Sequence, residues 1–248
     1  MLTQNPKFYL IFLVAFIEMH LVGTAAGVLP YIANAAIVFA VVLITMLLLN
    51  NWFFGKSFKT TTKEIGFKTT SFQKIVPGII ISLVLLLMFP VLSSLLDTKL
   101  SLAKNWYLNI FGLFLTGGLT EEVVFRGYLF GSLRKLMSFR KATLVSTVIF
   151  SLAHLLLFTY LDWSIALMST ILAIGLSLPF AFLFERGENT VWSPALVHTT
   201  IRTIGMVVTT TEDKFSVLAA AWMLASLIIP YLVLLFYQDF RALLKKGK

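Results

Sequence analysis

The chain has 248 residues, of which 58% are hydrophobic and 12% charged, and its formal net charge is +9. That composition excludes an ordinary soluble domain, and the absence of cysteine excludes disulfides and thiolate metal sites. Eight apolar runs are long enough to cross a hydrocarbon core of ~30 Å as helices, at roughly 8–29, 31–53, 75–96, 106–131, 142–160, 163–184, 191–209 and 216–237. Period-2 alternation is not evident, which argues against a β-barrel.

The first run follows Lys7, and Ala25-Ala26-Gly27 resembles a signal-peptide cleavage site. The run exceeds the usual apolar core of ~7–15 residues, so it reads as a retained helix. Its Glu18 and His20 read as packing or hydration contacts. From Gly55 to Lys74, five lysines interleave with Phe58, Ile65, Phe67 and Phe72. That pattern suits a segment lying on an anionic lipid surface (Lys56 to Lys74) and equally suits a solvated basic loop. Gly117-Gly118 suits close helix packing. Pro90, Pro179 and Pro230 fall inside spans, where neighbouring helices satisfy the carbonyls they free. Ser193-Pro194 reads as an N-cap with proline in the first turn of the seventh helix.

With both termini cytoplasmic, the positive charges sort by side. Lys7, the five lysines from 56 to 74, Arg134, Lys135, Arg140, Lys141, Arg186, Arg241, Lys245, Lys246 and Lys248 fall inside, against Lys99, Lys104 and Lys214 outside. This positive-inside bias explains the net charge without nucleic acid, so no nucleic-acid partner is expected. Without repeats or long linkers, residues 1–248 read as one integral membrane domain. The expected fold is all-α and polytopic, with about eight transmembrane helices enclosing an intramembrane site open to the cytosol. The expected location is a bacterial cytoplasmic membrane.

The run Glu121-Glu122-Val123-Val124-Phe125-Arg126-Gly127 puts three charges inside a span, where each costs several kcal/mol unless paired or hydrated. Adjacent helical residues point about 100° apart, so Glu121 and Glu122 are not expected to face one spot. Glu122 and Arg126 have the favourable i, i+4 order for an ion pair, which leaves Glu121 without a local partner. Phe150 and His154 share one helix face, as do His198 and Arg202. At ~1.5 Å per residue, His154 lies about 18 Å and His198 about 12 Å from the cytoplasmic helix starts, with Glu121 about 20 Å from Arg134. These depths fit one shared site on the cytoplasmic half. A carboxylate with two histidines can deliver a water nucleophile, the histidines binding a metal or stabilising an oxyanion. Both glutamates pairing with Arg126 and Arg202 as structural glue is the bland alternative.

Glu-Glu-x-x-x-Arg at 121–126, Phe-x-x-x-His at 150–154 and a third motif beginning at His198, on successive helices, resemble the CPBP intramembrane protease family. That family includes the CAAX prenyl endopeptidases and the bacteriocin-processing and immunity Abi proteins. The resemblance covers about 105–210. It implies an eight-helix intramembrane (metallo)endopeptidase with a conical, cytosol-facing cavity, acting on a peptide or membrane-protein substrate near the cytoplasmic face. By position, Glu121 would activate water with help from His154, and His198 would bind a metal or stabilise the oxyanion. Glu122 with Arg126 would hold the site in shape. Zinc, with His154 and His198 among its ligands, and a metal-free mechanism both stay open.

One position departs from the pattern. The third motif usually reads His-x-x-x-Asn, whereas this chain has Arg202. Arginine donates hydrogen bonds but neither accepts them nor ligates a metal. Three readings follow, in order: a metal-free oxyanion donor, a salt bridge to Glu121, or loss of activity. His-Glu-x-x-His and Gly-x-Gly-Asp do not occur, and Gly175-Leu176-Ser177-Leu178 lacks the second glycine of a rhomboid-like serine site. The rivals to a peptidase are a catalytically silent membrane protein acting in bacteriocin immunity or regulation, and a proton- or ion-coupled transporter.

Overall fold

A computed structural model of the protein describes residues 5–159 and 161–245. Tyr160, closing the fifth expected span, and Lys246 and Lys248 lie outside the described residues. In chain order the helices are α1 (Pro6–Ala25), α2 (Tyr31–Phe54), the short α3 (Phe58–Glu64) and α4 (Phe72–Leu95). Next come α5 (Trp106–Arg134), α6 (Phe139–His154, extended by one 3₁₀ segment Leu155–Thr159) and α7 (Trp163–Arg186). The last three are α8 (Trp192–Ile201), α9 (Glu212–Leu234) and α10 (Gln238–Lys245). Seven of these, all but α3, α8 and α10, are long and apolar enough to cross a membrane. The protein is an all-α polytopic membrane protein, since helices satisfy their own backbone groups where water is absent.

The caps follow from local sequence. Asn5 accepts a hydrogen bond from the Lys7 N–H at 3.0 Å with Pro6 in the first turn, and Asp162 accepts from the Ser164 N–H at 2.9 Å. Leu13, Ile44, Leu87 and Leu144 are exposed apolar side chains on four different spans, as a lipid-facing surface requires. At the centre stands α5, in which every residue from Val123 to Phe130 is buried.

The expected seventh span, 191–209, is not a full helix. α8 ends at Ile201 after 10 residues, about 15 Å of rise. The chain then turns at Gly205 (φ +77°), whose N–H donates to the Val208 carbonyl at 2.9 Å. β2 (Val208–Thr209) pairs antiparallel with β1 (Ser101–Leu102), which lies between α4 and α5. A half-helix and a loop together therefore carry the chain between the two ends of the bundle. Glycine and the β-branched run Val207-Val208-Thr209-Thr210-Thr211 are weak helix formers, which is why hydropathy alone misjudges this stretch.

The two ends differ in charge. One gathers Lys56 to Glu64 (2.5 Å), Lys135 to Glu64 (3.5 Å), Arg134 to Glu185 (2.6 Å) and Arg186 to Asp239 (2.6 Å). Ile65 and Gly66, just after α3, dip into this end, where Ile65 packs on Gly127 and Gly66 on Val191. The opposite end is held by hydroxyl pairs, Thr98 with Thr210 (2.5 Å) and Ser101 with Thr209 (2.9 Å).

Candidate active site

Two stretches of α5, Phe114–Glu121 and Val123–Phe130, are wound as a π-helix, with backbone bonds reaching five residues rather than four. Such winding is rare and concentrates at functional sites. It reduces the angular step between neighbours below that of an α-helix, so Glu121 and Glu122 diverge less than composition suggests. Gly117 and Gly118 let α8 approach. A Cβ on Gly117 would sit 2.5 Å from Arg202 Nη1, and one on Gly118 2.5 Å from Thr199 Oγ1.

Both glutamates meet one imidazole, contrary to the sequence expectation that they face different spots. His198 Nδ1 is 2.7 Å from Glu122 Oε1, and its Nε2 is 3.8 Å from Glu121 Oε2. The ring spans the divergence between the two side chains. With Glu122 as a carboxylate, Nδ1 carries the proton and Nε2 points toward Glu121. Glu122 Oε1 also accepts from Arg126 Nη1 at 3.2 Å, the expected i, i+4 pair, while its Oε2 is buried without a partner. Arg126 lies between two rings, 4.5 Å from the centre of Phe150 and 5.1 Å from that of Phe180. Two aromatic faces and one carboxylate thus compensate a guanidinium removed from water.

Glu121 is not free. Arg202 Nη1 donates to its Oε1 at 2.7 Å, so the salt bridge, second in order among the readings of Arg202, is the one that forms. Its Oε2 faces His198 and makes no contact within hydrogen-bond length. His154 Nδ1 lies 2.9 Å from the Phe150 carbonyl, which fixes a tautomer with Nε2 as acceptor.

Glu121, Arg126, Phe150, His154, His198 and Arg202 all line one cavity of about 370 Å³, a size typical of ligand sites. Glu122 lies behind the wall, bonded to two groups that do line it. His20 lines the cavity too, which the sequence reading missed in treating it as a packing or hydration contact. The available signal was its spacing: Phe16 and His20 repeat the Phe-x-x-x-His pattern, and His20 Nδ1 lies 3.0 Å from the Phe16 carbonyl, as in α6. The cavity's lining runs from the middle of the bundle away from the lysine-rich end. His154 is the final residue of α6, about 22 Å of helix from Phe139 at the lysine-rich end.

A zinc site needs at least three converging protein ligands. Among the described residues no group of three or more histidine, aspartate or glutamate side chains is so placed. One oxygen of Glu121 is held by Arg202, which brings a fixed positive charge beside any ion placed there. Among the described residues His154 and His198 are not grouped with Glu121 as a zinc site requires. What the arrangement offers is a carboxylate oxygen and two imidazoles around one cavity.

Residues 103–204 match the family model described as "Type II CAAX prenyl endopeptidase Rce1-like". That stretch includes α5 through α8 and every site residue except His20. No curated protein and no solved structure gives a significant match.

Proposed function

We propose that the chain, whose residues 103–204 match the model of Rce1-like type II CAAX prenyl endopeptidases, is an endopeptidase that hydrolyses a peptide bond within or beside the membrane. The observation that carries this reading is the convergence of Glu121 and Glu122 on the two nitrogens of His198, in the wall of a cavity that also holds His154. Glu121 Oε2 takes a proton from a water molecule as the oxygen attacks the scissile carbonyl. His154, with Nε2 free, steers that water. His198, held through Nδ1 by Glu122, turns Nε2 toward the water and Glu121, and the Arg202 N–H groups not used on Glu121 donate to the oxyanion. The proton on Glu121 then passes to the leaving amine as the C–N bond breaks.

Arg202 holds Glu121 in one rotamer. Arg126 fixes Glu122 behind the histidine. No step needs a metal, and cleavage by purified protein should survive a strong chelator. The family model is described as a type II CAAX prenyl endopeptidase; for this chain a peptide precursor or a membrane protein is the proposed substrate class. The lysines from Lys56 to Lys74, with Phe58 and Phe72 exposed among them, are proposed to rest on anionic lipid.

The test is cleavage of a reporter by the wild-type, Glu121→Gln, His154→Ala and His198→Ala proteins at equal expression. Each variant should lose cleavage; retained activity in Glu121→Gln removes it as the base. The 2.7 Å Arg202–Glu121 bridge favours a second reading, a silenced protein of the same fold acting in immunity or regulation. Under that reading Arg202→Asn should raise activity and Glu121→Gln should leave the cellular phenotype intact.

A further inference from the structure

Resting on the peptidase reading, we propose that substrate and water reach Glu121 from the end of the bundle opposite the lysine-rich one. By the positive-inside rule, the substrate is then a polypeptide segment presented at the non-cytoplasmic face, and the site is not open to the cytosol.

The direction of the cavity carries this. Its lining extends from the middle of the bundle toward the low-charge end: His20 and Gly23 near the end of α1, Asn34 near the start of α2, Leu157 and Leu161 beyond α6. Toward the lysine-rich end it stops at Phe125, Phe150 and Phe180, all buried. Behind these pack Phe130 and Phe184, edge to face at 5.9 Å and both buried. The crevice beneath that floor, beside Phe130, Ser146 and Ser177, has no volume for a water molecule.

Hydrolysis consumes one water per bond, and an extended peptide brings backbone groups that need polar company. Polar side chains on the open side supply it: His20, Asn34, Thr116 and Ser169 line the cavity. The floor offers only aromatic carbon around the Arg126 guanidinium. A site fed from the lysine-rich end would require that floor to open.

The absence of cysteine makes the test direct. Single cysteines are placed at Ser169 in the cavity wall, at Ser101 on the low-charge end and at Lys59 on the lysine-rich end, and Ala153→Cys serves if Ser169→Cys does not accumulate. Each is exposed to a charged, membrane-impermeant maleimide in intact cells and again after permeabilisation. Ser101→Cys and Ser169→Cys should label in intact cells, whereas Lys59→Cys labels only after permeabilisation. Ser169→Cys labelling together with Lys59→Cys, or from neither side while both reference positions react, overturns the proposal. Labelling does not depend on cleavage. An inactive protein with the expected labelling would sink the peptidase reading and leave the direction of access standing.

Discussion

The two ends of this bundle are built on different chemistry. The lysine-rich end is closed by ion pairs that tie α3 and α10 to the ends of α2, α5 and α7, above a stack of buried phenylalanines. The other end is held by a two-residue ladder and hydroxyl pairs, and the cavity lies on that side. The difference divides the site's charges. Glu122 and Arg126 sit against the sealed side, with side chains at most 5% exposed, whereas Glu121 and Arg202 are 17% and 39% exposed on the open side. On the proposed reading the fixed pair supports the histidine, and the more exposed pair is left to react.

The sharpest way to break this division is at Glu121. Replacing it with glutamine should lower cleavage of a reporter by about 10²–10⁴-fold, the usual contribution of a positioned acid–base group. Thermal unfolding in detergent should move less than on loss of a fully buried charge, because Glu121 and its partner Arg202 both line the cavity. Arg126→Met attacks the sealed side instead. It strands the Glu122 carboxylate in a buried setting, and removing one partner of a buried pair costs about 3–5 kcal/mol. Unfolding temperature should fall sharply, and a variant that also carries Glu122→Gln should regain part of the loss.

Gly117→Ala sharpens the comparison from the open side. The new methyl would meet Arg202 and move it off Glu121, changing activity while leaving the Glu122–Arg126 pair intact. In an Arg202→Asn background the same change should matter less, and equal effects in both backgrounds would show that Gly117 does not act through Arg202. The smallest effect is expected at Glu64. Burial raises its pKa, but the hydrogen bond from Lys56 and the charge of Lys135 outweigh it and leave the pKa lowered. Its contribution to stability is therefore present above the ordinary carboxylate range and lost as pH falls through the lowered value. Glu64→Gln should flatten the acid limb of the stability profile and leave neutral-pH activity unchanged.

Much of the fold was legible from apolar run lengths, since crossing hydrocarbon constrains segment length strongly. The Glu122–Arg126 pair was legible too, because four-residue spacing survives small changes in helix winding. Three features were not. The shift of α5 to wider winding changes which side chains converge, and composition carries no trace of it beyond Gly117-Gly118. α8 stops half-way because Gly205 and the β-branched run after it favour a turn and a strand, although their mean hydropathy resembles that of a span. The direction of the cavity depends on which helix ends splay apart, a property of packing rather than of any one segment. The match over residues 103–204 leaves out α1, and with it His20. His20→Ala should reduce cleavage less than His154→Ala; an equal loss would give α1 a larger part in the chemistry.

The central claim is that Glu121 activates water for peptide hydrolysis. Protein termini profiled in cells carrying the wild-type chain or its Glu121→Gln variant, at matched membrane levels, test it most directly. A defined set of new N-termini should be present with the wild type and absent with the variant, their cleavage positions clustering beside a membrane segment. The same termini in both strains would contradict it.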